Sequence, residues 1–131
     1  MVARALLMLM VMTLGACAVS GPVPDWLSED VAGPEPAYRF RIANDLRRIV
    51  GPPSLAGTLE ISGARRVISI KGASWLVCLK AQHVPLPPRF FAVFFQRGQI
   101  AYSRVSVGID QCELDSYEPF NWRIDAITPP L

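Results

Sequence analysis

The sequence predicts an α+β fold in which one N-terminal helix packs on an antiparallel sheet of about five strands. Residues 38–50 repeat apolar side chains at helical spacing, whereas much of residues 58–107 has the composition and alternation of strands. Short turn-forming segments separate these strands, which favours antiparallel neighbours. Residues 108–131 show little periodicity, so we expect an irregular C-terminal tail.

The helix is predicted to begin near Tyr38 and to end at Val50. Its apolar residues recur every three or four positions and therefore share one face. Two arginines close the segment and suit the negative end of the helix dipole. Gly51 can adopt a left-handed cap, and the two prolines that follow cannot continue the helix.

A helix of this length needs a surface to pack on, and the predicted strands supply it. Residues 58–61 alternate polar and apolar side chains, residues 62–64 are predicted to form a turn, and residues 67–71 the returning strand. Residues 75–79 are apolar throughout, which is typical of an interior strand with both faces covered. Three prolines within residues 82–89 predict a loop.

Residues 90–96 and 99–107 form the clearest predicted hairpin, with Arg97-Gly98 as its turn. If these two residues are the whole turn, Phe95 faces Ile100 across the hairpin. A longer loop would shift the register by one residue and exchange the two faces.

Aromatic side chains occur on both faces of this hairpin, so one face is expected to need cover from the rest of the chain or from a partner. The two-residue turn places four large side chains on a single face. With the only histidine, which lies in the proline-rich loop, they make up the candidate partner-binding residues: His83, Phe91, Phe95, Tyr102 and Arg104.

The first residues of the chain have the pattern of an export signal. Arg4 precedes an apolar run, residues 5–14, which is about as long as a signal-peptide core and well short of the roughly twenty residues that a spanning helix needs. Residues 14–17, Leu-Gly-Ala-Cys, then resemble the lipobox of bacterial lipoproteins. The resemblance implies cleavage before Cys17 and a diacylglyceryl group on its thiol, usually with a further acyl chain on the new amine.

The lipobox resemblance also implies a location and a division of the chain. Ala18, not an aspartate, follows the cysteine, which in enteric bacteria favours the outer membrane, on the side facing the periplasm. The expected parts are a signal peptide (residues 1–16), a lipidated cysteine with a Pro/Gly-rich tether (17–37) and a single small domain (38–131). Within the tether, Trp26 and Leu27 are expected to dock on the domain or to sit at the membrane interface.

Two cysteines remain after Cys17, namely Cys78 in the predicted interior strand and Cys112 at the start of the tail. An even pair in a small exported domain is most simply a disulfide. Closing a loop of this length would contribute on the order of 3–4 kcal/mol. A metal site that adds His83 to the two thiols has irregular spacing, so we predict neither a metal nor a cofactor.

The charge pattern argues against nucleic acid as a partner. The formal net charge is +2, and removal of the signal peptide takes Arg4 away. Nucleic-acid binding requires positive charge clustered along one face, which the sequence lacks.

Catalytic signals are weak as well, and no catalytic residue is predicted. His83 has no nucleophile at a suggestive spacing. Four carboxylates fall within residues 110–118, but calcium binding or paired acid–base catalysis would require their oxygens to converge. The four are Asp110, Glu113, Asp115 and Glu118.

We therefore expect a non-enzymatic lipoprotein, attached to the membrane by its lipid, that binds another envelope protein as an assembly factor or structural subunit. One alternative is an inhibitor of a periplasmic hydrolase, with residues 82–89 as the inserting loop. Another is a small enzyme or ligand carrier, in which the acidic segment 110–118 and His83 line a cleft between helix and sheet.

Overall fold

The computed structural model describes residues 21–22, 24–25 and 28–131. Cys17, the predicted export signal and the pair Trp26-Leu27 lie outside this part of the chain. No helix of the described residues is long and apolar enough to cross a membrane.

A six-stranded antiparallel sheet makes up most of the described structure. The strands are β1 (Thr58–Ser62), β2 (Arg65–Ser69), β3 (Gly72–Gln82), β4 (Arg89–Gln96), β5 (Gln99–Val105) and β6 (Tyr117–Pro119). Their order in the sheet is β5-β4-β3-β1-β6, and β2 continues along the same edge of β3 as β1, paired with the first half of β3. The helices are α1 (Glu29–Ala32), α2 (Tyr38–Val50) and α3 (Trp122–Asp125).

The predicted α+β class is wrong, because the sheet dominates and only one α-helix of the described residues, α2, is longer than four residues. The prediction of an irregular tail is also wrong, because residues 117–119 form the sixth strand, which pairs with β1. Pro119 is compatible with this position because β6 is an edge strand. The helical periodicity predicted α2 correctly, but α2 makes up a smaller part of the fold than the α+β class implied.

Residues 62–64 do not form a hairpin turn. Both β1 and β2 pair antiparallel with β3, so they run in the same direction and β3 is the returning strand. Ile61 faces Leu79 and Arg65 faces Leu76, so three residues of one strand oppose two of the other, which is a β-bulge. At this break the Ser62 hydroxyl accepts a hydrogen bond from the Cys78 N–H at 2.8 Å.

The β4–β5 hairpin has the predicted turn but only part of the predicted register. Phe95 faces Ile100, and both Arg97 and Gly98 have positive φ, as a two-residue hairpin turn requires. Beyond this point the register shifts by one, so Phe94 faces Tyr102 across the hairpin. Because of this shift, Ala101 has no paired residue in β4. The side chains of β5 after Ala101 therefore lie on the opposite face of the sheet from the one predicted.

The sheet buries a core on each of its faces. The helix face packs against α2, and its buried residues include Ile42, Leu46, Leu59, Ile61, Val77, Leu79, Phe91, Val93, Phe95 and Phe120. The disulfide face is smaller and centres on Leu76, Cys78, Ala92, Phe94 and Cys112. Burial on both faces explains why β3 and β4 have near-continuous apolar sequences.

The chain is docked on the sheet from α1 onward. Ala32 is fully buried, and its carbonyl accepts a hydrogen bond from the Arg97 N–H at 2.9 Å. The Trp75 indole donates to the Gly33 carbonyl at 3.0 Å. The second half of the segment expected to be a tether thus packs against the folded domain.

Candidate functional site

The disulfide face combines a disulfide with several ion pairs and hydrogen bonds. Cys78 and Cys112 are fully buried and form the predicted disulfide, with their Cα atoms 5.6 Å apart. The bond ties the interior strand β3 to the segment that precedes β6. It holds that segment over the sheet, where it brings carboxylates close to arginines.

Asp110 is the buried carboxylate of this segment, with 4% of its surface exposed. The Arg104 guanidinium donates to both of its oxygens, at 2.6 and 3.2 Å, and the Val107 N–H donates to it at 2.9 Å. This hydrogen-bonded pairing raises the pKa of Arg104 further above its ordinary value. Arg65 also donates to the Asp110 main-chain carbonyl. Arg104 is therefore engaged within the domain.

Asp115 and Tyr117 lie beside the disulfide. Asp115 pairs with Arg65 at 3.3 Å, and the Tyr117 hydroxyl donates to the Cys112 carbonyl at 2.5 Å. Burial, with a contribution from the Asp115 charge, raises the pKa of Tyr117 well above its ordinary value. Both groups act in holding the segment against the sheet.

One grouping of potential metal ligands occurs among the described residues. Its ligand atoms, from Cys78, Cys112 and Asp115, lie within 4.8 Å of one another. Both sulfur atoms are joined in the disulfide, so they are not thiolates and the grouping offers a metal one carboxylate. His83 is not part of it.

The four carboxylates of residues 110–118 do not converge on a single cleft. Glu113 is exposed, and Glu118 binds at 3.1 Å to an arginine of α2. Three of the four thus pair with different arginines: Asp110 with Arg104, Asp115 with Arg65, and Glu118 with Arg39. Paired acid–base chemistry needs two carboxylates on one bond, which this arrangement does not provide.

The structure separates the sequence-predicted binding residues. Phe91 and Phe95 are buried beneath α2 and have almost no surface to offer a partner. Because of the bulge at Ala101, Tyr102 and Arg104 lie on the opposite face of the sheet from these two rings. They therefore cannot form one binding surface.

Tyr102 and Arg104 instead enclose Phe94 on the disulfide face. The Tyr102 and Phe94 rings are stacked with centroids 4.4 Å apart, and the Arg104 guanidinium lies 5.2 Å from the Phe94 centroid. The Tyr102 hydroxyl is buried and has no hydrogen-bond partner among the described residues.

His83 lies at a different end of the molecule, in the exposed β3–β4 loop (residues 83–88). The Leu86 N–H donates to the His83 carbonyl at 2.8 Å and closes a turn there. Val84 is 76% exposed and Leu86 63%. A hollow of about 330 Å³ lies under this loop, lined by Ala56, Ala81, Gln82, His83, Leu86, Pro87 and Arg89.

Residues 82–89 were predicted as the inserting loop of the inhibitor alternative, but Val84 and Leu86 were not singled out as contact residues. The signal was available, since aliphatic residues that alternate with prolines outside any strand have no sheet face on which to be buried. The hairpin aromatics were more conspicuous, but they are largely core residues.

A wider groove of about 630 Å³ runs beside β6 and α3. Trp122 and Arg123 form part of its wall, with the guanidinium 4.6 Å from the indole centroid. Its carboxylate, Glu60, is paired with Lys80 at 3.5 Å. The groove has an aromatic contact surface, and the described residues place no second carboxylate in its wall opposite Glu60.

Comparison with known proteins gives no relative. No protein-family model, curated protein or solved structure matches this chain.

Proposed function

We propose that this protein is a lipid-anchored envelope protein, attached to the outer membrane and facing the periplasm, that binds another envelope protein without catalysing a reaction. The buried disulfide between Cys78 and Cys112 is the observation that carries the proposal. Disulfides persist in oxidising compartments such as the periplasm. The remaining cysteine, Cys17, occupies the lipobox position.

A binding role is supported by the way in which the ionisable groups are used. Asp110 and Glu118 pair with arginines that also lie over aromatic rings, Arg104 over Phe94 and Arg39 over Phe120. These pairs hold the C-terminal segment to the sheet and to α2. Such a role is structural, because each charge is engaged by a fixed neighbour of opposite sign.

The β3–β4 loop is the surface that we propose for the partner. Val84 and Leu86 flank Pro85 and are exposed, and the strands on either side hold the loop at both ends. Prolines restrict the loop before binding, which lowers the entropy lost when it is fixed against a partner. A projecting apolar loop of this kind fits a cleft on another protein.

The same loop favours inhibition of a periplasmic hydrolase as the second candidate function. Pre-organised loops held at both ends are suited to insertion into a cleft without large rearrangement. The two candidates differ in the partner, since only an inhibitor lowers the activity of the protein that it captures.

The lipid anchor is tested by labelling cells with a palmitate analogue. The wild type is expected to be labelled and Cys17→Ser is not, because the thiol is the attachment point. Equal labelling of the two proteins would overturn the anchor.

The binding surface is tested by crosslinking pull-down from envelopes. Leu86→Asp is expected to lose the captured partner, because a carboxylate would have to be desolvated in an apolar cleft. Ile127→Asp is the matched control, since Ile127 is similarly exposed (79%) but lies after α3. Loss of capture by both variants, or by neither, would contradict the proposed surface.

A further inference from the structure

We infer that the end of the sheet opposite the β3–β4 loop rests on the membrane surface, with Ile68 and Ile70 at the level of the lipid headgroups. This inference depends on the proposed lipid anchor at Cys17. It adds an orientation to that proposal and assigns a membrane-contact role to the β2–β3 turn.

The two ends of the sheet are defined by the antiparallel strands. The anchor end comprises residues 28–33, 68–71 and 97–98, and the loop end comprises residues 83–88. The β3 strand runs from one to the other over 11 residues. At the usual rise per residue the two ends are about 35 Å apart.

Hydrogen bonds hold the parts of the anchor end together. The Arg97 N–H donates to the Ala32 carbonyl at 2.9 Å, which places α1 against the β4–β5 turn. The Gln96 side chain donates to the Lys71 carbonyl at 2.8 Å, which joins that turn to the β2–β3 turn. The docked chain therefore enters the domain next to both turns.

The position of this entry point limits how far the anchor end can be from the membrane. Cys17 precedes Ser28 by 11 residues (28 − 17). A fully extended segment of that length reaches at most about 40 Å, and it starts from the lipid. Because the segment joins the anchor end, that end lies within about 40 Å of the lipid. The β3–β4 loop, about 35 Å farther along β3, can lie much farther out.

The side chains at the anchor end fit a membrane–water interface. Ile68 is 64% exposed and Ile70 80%, so neither is used by the core. Lys71 follows directly, and Arg97 stands in the neighbouring turn, both exposed. Aliphatic residues flanked by cations bind at the headgroup level of anionic membranes. Asp30 of α1 is exposed at the same end, so the attraction comes from the turns and not from a uniform positive surface.

With the lipid anchor in place, a weak contact between these turns and the membrane is enough to orient the domain. Two isoleucines and a few cations would hold a free protein to a membrane only loosely. Once the chain is tethered by its lipid, docking of the turns is intramolecular and occurs at high effective concentration. The contact then sets the orientation of the domain, which presents the β3–β4 loop to the periplasm.

The test uses the full acylated protein, purified and inserted into mixed phosphatidylethanolamine–phosphatidylglycerol vesicles. The photoreactive residue p-benzoylphenylalanine replaces either Ile70 or Val84, two positions of matched exposure at opposite ends of β3 (80% and 76%). After irradiation, mass spectrometry counts phospholipid adducts. We expect several-fold more adduct from position 70 than from position 84.

The outcomes separate this inference from the proposed function. Acylated protein that gives equal adduct from both positions, more from position 84, or none from either overturns the orientation and leaves the anchor intact. Protein whose intact mass carries no acyl chains overturns the anchor, and the orientation with it. Greater adduct from position 70 with acyl chains present supports both.

Discussion

The Ser62 hydroxyl replaces a backbone acceptor that is lost at the interruption between β1 and β2. The bulge at residues 62–64 leaves the buried Cys78 N–H without a regular strand partner, and Ser62 supplies the acceptor at 2.8 Å. Ser62 itself is 3% exposed, so water has little access to the bond. A buried donor without a partner costs more free energy than the bond contributes when it is made.

We therefore expect Ser62→Ala to lower the free energy of unfolding by about 1–3 kcal/mol, because it removes the acceptor of the Cys78 N–H at the bulge and leaves this buried donor unsatisfied. Urea denaturation with the disulfide intact measures the change. Ser116→Ala is the control, since Ser116 is exposed. Equal loss in both variants would contradict the role assigned to Ser62.

Tyr117 is expected to make stability depend on pH in the alkaline range. Its hydroxyl donates to the Cys112 carbonyl, and burial raises its pKa above the ordinary value. In the unfolded chain the phenol ionises near pH 10, whereas in the folded protein it stays protonated to higher pH. Its contribution to stability is therefore complete below about pH 10 and is lost as the pH rises through the folded-state pKa.

Comparison with Tyr117→Phe tests this sign. At pH 7 the variant is expected to be less stable by about 1 kcal/mol, because it lacks the hydrogen bond. Near pH 11 the difference should shrink, since only the wild type has a phenol that favours unfolding when it ionises. Short urea unfolding experiments at the two pH values measure the difference in the free energy of unfolding between wild type and variant. A difference that is the same at both pH values would refute the coupling of Tyr117 ionisation to stability.

At the scale of elements, periodicity and stop signals predicted α2 and the β4–β5 turn, because these depend on residues close in sequence. The two β-bulges were not predictable in this way. Ala101 carries no local mark of being unpaired, and its position follows from how β5 packs over Phe94. A one-residue shift was enough to move Tyr102 and Arg104 to the other face and to divide the predicted binding surface.

The disulfide was predictable from residue type and the expected export of the chain, whereas β6 was not. Three residues that include a proline give no strand signal by themselves, and they pair because the disulfide and the Arg65–Asp115 pair bring them to the edge of β1. The exposed residues of the β3–β4 loop were readable in the sequence, but were outweighed by the more hydrophobic hairpin.

Arg39 connects two elements that are distant in sequence. It binds Glu118 of β6 and Asp125 of α3, each at 3.1 Å. Arg39→Ala is expected to lower the free energy of unfolding by about 1 kcal/mol, a small value because the pairs are partly exposed and screened by solvent. Chemical denaturation measures the change, with the exposed Arg41→Ala as control. A loss no larger than that of the control would show that packing alone holds the C-terminal segment.

For the whole molecule, we expect the disulfide to contribute more to the free energy of unfolding than any other single bond. Cys78 and Cys112 are separated by 34 residues, for which the chain-entropy relation gives about 4 kcal/mol. The double variant Cys78→Ala/Cys112→Ala should lose about that much in urea denaturation. It should also become insensitive to dithiothreitol, whereas the wild type is destabilised by it. Equal stability of wild type and double variant would contradict the expectation.

The disulfide spans the β3–β4 loop, because residues 83–88 lie between its two cysteines. A protease that cuts this loop would therefore produce two fragments that remain covalently joined. Electrophoresis would show one band of unchanged size without reductant and two smaller bands with it. A nicked chain would therefore remain one covalent molecule, with both new ends still attached to strands of the sheet.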